Sequence, residues 1–144
     1  MFLVTAGGCD LVLLRNPNFL HGLGMDIHIR TKITDWWSYI ETAVIKIGSA
    51  TLEVTGGIDG GRYWLNGQPG DELVDGATFD LNGFEVKFTQ VTSEKKKYRI
   101  DFGTGDGLKI GTFKDFVDVN MLAKNADNFR DSVGLMGEAT ITRF

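Results

Sequence analysis

Apolar and polar side chains alternate through most of this chain, and the rhythm restarts at glycine-rich turns roughly every ten positions. Phe84, Val86 and Phe88 alternate with Glu85, Lys87 and Thr89; Tyr98, Ile100 and Phe102 with Arg99 and Asp101; Val117, Val119 and Met121 with Asp118 and Asn120. Successive side chains of a strand point to opposite faces, so a period of two gives each segment one face for a core and one for water. The pattern predicts an all-β chain, an antiparallel β-sandwich of about nine to eleven short strands.

Local signals place the strands. Residues 10–15 are aliphatic through Leu11, Val12, Leu13 and Leu14, which predicts burial on both faces, and Asn16-Pro17-Asn18 ends the segment. A glycine-containing loop over residues 21–24 leads into a strand with Met25, Ile27 and Ile29 in the apolar phase. Residues 36–47 open with Trp36, Trp37 and Tyr39 and settle into Ala43, Ile45 and Ile47 before Gly48-Ser49 turns the chain toward Leu52 and Val54. Asn66-Gly67 and Asn82-Gly83 each supply the two positive-φ positions of a type I′ hairpin turn. Residues 123–131 are the one stretch expected to make a helical turn, too short and polar for a core helix. No linker, repeat or low-complexity segment divides residues 1–144, so one domain is expected.

Composition narrows the partners. With 42% hydrophobic and 24% charged residues the chain is of ordinary globular type. A net charge of -4 and a pI near 5.1 argue against nucleic acid, which needs clustered cations. The one cationic run, Lys95-Lys96-Lys97, is expected at a solvated hairpin tip, with contact to a polyanion as the alternative. Cys9 is the only cysteine, so no intrachain disulfide can form. Residues 1–9 lack the basic start and apolar length of a secretion signal, and no run approaches a membrane span.

Candidate chemistry is sparse. Gly103 to Gly107 contain the glycines of a phosphate loop but not its Lys-Ser/Thr pair or helix, and predict a turn between strands. Asp115 and Asp118 fall in opposite phases of a strand and should diverge rather than flank one bond. His21 and His28 lack metal-ligand spacing, with each other or with Cys9. No metal or cofactor is therefore expected. Trp36, Trp37, Tyr39 and Trp64 are candidates for a platform that stacks on sugar rings, against the plainer alternative of sheet packing.

Three segments, in order, carry a family likeness. Gly8-Cys9-Asp10-Leu11-Val12-Leu13, then Tyr63-Trp64-Leu65-Asn66-Gly67, then Asn128 through Gly137 ending in Gly134-Leu135-Met136-Gly137, resemble motifs of the von Willebrand factor type D domain in a cysteine-poor version. Leu11 stands where the family has an aromatic, and Met136 where it has a cysteine, which suggests that packing replaces a covalent tie. The family's opening Gly-Asp-Pro-His has no counterpart before Gly7, so the resemblance predicts that the family's first strand or two have been lost. Glu138 to Phe144 replace its calcium loop, so no calcium site is expected. The resemblance implies a non-catalytic, extracellular β-sandwich module for adhesion, protein assembly or matrix interaction, with protein partners or self-association and Cys9 available for an intermolecular disulfide. Two alternatives stand beside it: a carbohydrate-binding module using the exposed aromatics, and a β-sandwich hydrolase drawing on Asp101, Asp106, Asp115 or His28.

Overall fold

The structure, a computed structural model, describes residues 10–33, 38–57, 61–103, 105–122 and 124. These residues form two antiparallel sheets. The first contains β1 (Asp10–Asn16), β2 (Met25–Ile33), β3 (Ser38–Ile47), β4 (Ala50–Thr55), β5 (Arg62–Leu65) and β6 (Gln68–Pro69), neighbours in space in the order of the chain. The second contains β7 (Thr78–Leu81), β8 (Phe84–Gln90), β9 (Lys95–Asp101), β10 (Gly107–Phe113) and β11 (Phe116–Leu122), again a simple meander. Residues 70–77 carry the chain from one sheet to the other.

The period of two becomes burial directly. Ile27, Ala43, Ile45, Ile47, Leu52 and Val54 of the first sheet, and Val86, Phe88, Ile100, Leu108 and Ile110 of the second, are buried in one shared core. Each large aliphatic removed from water contributes about 1.5–3 kcal/mol. The two Asn-Gly turns adopt the expected geometry, with Asn66 and Gly67 at φ 52° and 82° and Asn82 and Gly83 at 50° and 88°. Asn82 also ties the layers together, its Nδ2 donating to the Ile47 carbonyl at 2.9 Å.

Three local expectations are corrected. The aliphatic run of β1 is not a strand buried on both faces: β1 is an edge strand whose register slips between Val12 and Leu14, and this bulge lets both Leu13 and Leu14 turn inward while Val12 stays half-exposed. The segment after Asn16 is not all loop. It holds α1 (Phe19–Gly22), the one helix among the described residues, introduced by an Asx turn in which Asn16 Oδ1 accepts the Asn18 N–H at 3.0 Å. This turn drives Phe19 into the core, edge-on to Phe102 at 5.0 Å. Finally, Lys95, Lys96 and Lys97 do not form a hairpin tip but begin β9; residues 91–94 make the turn. The helical turn expected over residues 123–131 falls almost wholly outside the described residues.

At one end of the molecule the β10–β11 turn docks on the loop after β4. The Gly57 N–H donates to the Lys114 carbonyl at 2.7 Å, and a Cβ at Gly56 would lie 2.5 Å from the Asp115 carbonyl oxygen. Tyr39 of β3 packs edge-on against Phe116 of β11 at 4.8 Å beside this contact, bringing the two sheets together.

Candidate functional site

The sheet crossover leaves a cleft of about 400 Å³ between the β5–β6 hairpin and strands β8 and β9. Its aromatic floor follows from register. Tyr63 pairs with Val54 and so faces inward, where it stacks on Phe79 at 5.4 Å and meets Tyr98 at 5.9 Å. Phe88 closes against Tyr98 at 5.3 Å. Burial, with a smaller contribution from the neighbouring Tyr63 ring, pushes the Tyr98 phenol up to about 12, because the phenolate would lose its hydration there. Burial likewise raises Tyr63, joined by the negative charge of Asp71, while the Asp71 backbone N–H donates to its hydroxyl and opposes the shift.

Polar groups rim this floor. Arg62 and Trp64 come from β5, Asp71 and Glu72 from the crossover, and Gln90 and Lys96 from the facing ends of β8 and β9. Gln90 pairs with Lys96 across the ladder, and both occupy the inward phase set by Phe88 and Tyr98. A polar pair in an apolar phase is a readable sign of a place where the core opens to water, and sequence reasoning passed over it.

The residues expected to carry function are dispersed. Trp64 is half-buried on the cleft rim, while Tyr39 is taken up in its contact with Phe116. Trp36, Trp37 and Cys9 lie outside the described residues. His28 stands on the outer face of the first sheet in a cross-strand row with Val12, Val44, Glu53 and Trp64. His21 falls on α1, between β1 and β2 and outside that row. In the next row, Arg30 Nε donates to Asp10 at 2.8 Å, which holds that carboxyl below its ordinary range. Asp101 is exposed and accepts the Gly103 N–H at 2.8 Å, while Asp106 is buried and accepts the Lys124 N–H at 2.7 Å, so both organise the β9–β10 connection. The connection is a turn between strands, with Phe102 N–H donating to the Asp106 carbonyl at 3.1 Å. Asp115 lies beyond the other end of β10, and Asp118 points outward and accepts from Asn120 at 3.0 Å. Asp101 and Asp106 share a loop; Asp115 and His28 join neither them nor each other. Among the described residues no three His, Cys, Asp or Glu side chains are grouped to hold a metal ion. No helix among them is long and apolar enough to cross a membrane.

No family model matches the chain, and no curated protein matches it.

Proposed function

We propose that this chain is a non-catalytic binding module of von Willebrand factor D type, working outside the cell in adhesion, assembly or matrix building, and that it engages its partner at the crossover cleft. The observation that carries this reading is the cleft itself, where an aromatic floor and mixed charges converge, as ligand sites characteristically arrange them. Of the candidate acids and bases of a hydrolase, in contrast, Asp101 and the buried Asp106 organise one loop, and Asp115 and His28 stand apart from it. The first sheet's edges disfavour sheet extension: β1 is interrupted by its bulge and flanked by the Arg15–Asp26 and Arg30–Asp10 ion pairs, and β6 has two residues, one of them Pro69; the second sheet has its own edges in β7 and β11.

A second reading, carbohydrate binding, is favoured by the lining of the cleft, where Trp64 and Arg62 of β5 meet the polar groups Glu72 and Gln90. One set of measurements separates the two. Light scattering with and without reductant, and pull-down with matrix proteins, should reveal a complex that Trp64→Ala or Arg62→Ala weakens by tenfold or more. A glycan panel that instead shifts tryptophan emission, with the shift lost in Trp64→Phe, assigns the cleft to sugars. A monomer that ignores both panels removes the proposal.

A further inference from the structure

The outer face of the second sheet, opposite its core side, segregates charge in a way that cross-strand pairing does not require. Register sets Lys87 opposite Arg99 and Arg99 opposite Lys109, a row of cations across three strands. Lys95, Lys97 and Arg99 repeat at every second position of β9 and share that face. Directly opposed like charges destabilise a ladder, whereas alternating signs would stabilise it. Three acids of the face lie toward the other end, where Asp80 opposes Glu85 and Asp101 ends β9, while Asp118 stands among the cations in the row of Lys97. Among the described residues none of these five cations makes an ion pair.

Beside the cations lies a groove of about 450 Å³ lined by Lys95, Lys97, Lys109, Phe113, Asp118 and Asn120. Its floor is Gly111, opposite both Lys97 and Asp118, and the Asp118 carboxylate lies over it, with Oδ1 crowding the place where a Cβ would stand. Phe113 is 43% exposed at one end, with the Lys114 ammonium 5.3 Å from its ring centre. Asp118 and Asn120 are hydrogen-bonded to each other along the wall.

We propose that this groove binds an acidic polysaccharide. The three lysines take its carboxylate or sulfate groups, Phe113 takes the apolar face of a sugar ring, and Asp118 with Asn120 take ring hydroxyls. Lys95 and Lys97 follow each other at every second position of β9 and Lys109 stands diagonally across from Lys97, spacings of about 7 Å that suit charges repeated along an extended sugar chain. Nucleic acid is the competing polyanion; the net charge of -4 and the Asp118 carboxylate weigh on both alike, so an oligonucleotide of matched charge is one arm of the test. The site lies on a different sheet face from the crossover cleft and does not depend on what that cleft binds.

The test is isothermal titration of the intact protein with heparin and with a polyuronate at low and physiological salt. Binding of either is expected, weakening with salt. K97Q/K109Q should reduce affinity by at least tenfold and flatten the salt dependence by about two ion equivalents. F113A should reduce affinity severalfold and leave the salt dependence unchanged, a result that a diffuse cationic surface would not give. K46Q, on the outer face of the first sheet, should have no effect, and thermal melts confirm that each variant folds. The inference fails if neither glycan binds at physiological salt, if K46Q weakens binding as much as K97Q/K109Q, if F113A binds normally, or if a single-stranded oligonucleotide of matched charge binds as tightly.

Discussion

Substituting Gly56 by alanine tests the contact that joins the two sheets near β3 and β11. A methyl group there would sit 2.5 Å from the Asp115 carbonyl oxygen, 2.6 Å from its carbon and 3.1 Å from the Phe116 nitrogen. All three are backbone atoms, so no side-chain rotation relieves the overlap. Either the β10–β11 turn retreats by about an ångström or the strands flanking it bend, and overpacking of this kind costs about 1–3 kcal/mol. Retreat also stretches the 2.7 Å bond from Gly57 N–H to Lys114 O, with about 0.5–1.5 kcal/mol more at stake. The expected loss for Gly56→Ala is thus about 1.5–4.5 kcal/mol, or roughly 5–15 °C in Tm for a chain of this size. Gly57→Ala is the internal control: its methyl would meet only Gly61 at 3.8 Å, an ordinary contact, and should shift Tm little. Urea denaturation of both variants, with an unchanged m-value, isolates the stability term. If the two alanines cost the same small amount, the turn does not dock on Gly56 as described.

Three further outcomes follow from single residues. Tyr98 is protonated in the fold up to about pH 12 but ionises near its ordinary value of about 10 when unfolded, so its contribution, about 2–3 kcal/mol at most, is fully present below about pH 10 and is lost as pH rises toward 12. Urea midpoints across that window, with tyrosinate absorbance followed in parallel, check this, and Tyr98→Phe should remove most of the dependence. The Thr112 hydroxyl is buried with no hydrogen-bond partner among the described residues, so Thr112→Val should stabilise the protein by about 1 kcal/mol; a lower Tm would show that the hydroxyl is satisfied. Lys114 holds φ at 53°, a conformation that costs a side chain about 1–2 kcal/mol, so Lys114→Gly should raise Tm by a few degrees, and a lower Tm would locate the strain elsewhere.

Alternation and turn chemistry made the strands legible. Phe84 to Thr89, Tyr98 to Phe102 and both Asn-Gly turns stand where the period of two and the demand for positive φ put them. Features that arise between segments were not legible. Leu13 and Leu14 both face inward because of a slip against β2, which no periodicity in β1 encodes. Phe19 is buried by a single helical turn, too short to leave a repeating pattern. The cation row exists only once β8, β9 and β10 are in register, since Lys87, Arg99 and Lys109 are unremarkable when read along the chain. The cleft shows the reverse case, for Gln90 and Lys96 break the apolar phase of their own strands and were open to detection from the sequence.

The order of the strands bears on how the molecule is made. Every strand of the first sheet is synthesised before any of the second, so a nascent chain that has reached Pro69 presents Ile27, Ala43, Ile45, Leu52 and Val54 with no opposing layer. That half must wait on the ribosome or a chaperone until residues 78–122 emerge to cover it. The crossover peptide is correspondingly the natural place to cut the gene in two: fragments ending and starting there should each aggregate when expressed alone and reconstitute the fold when co-expressed.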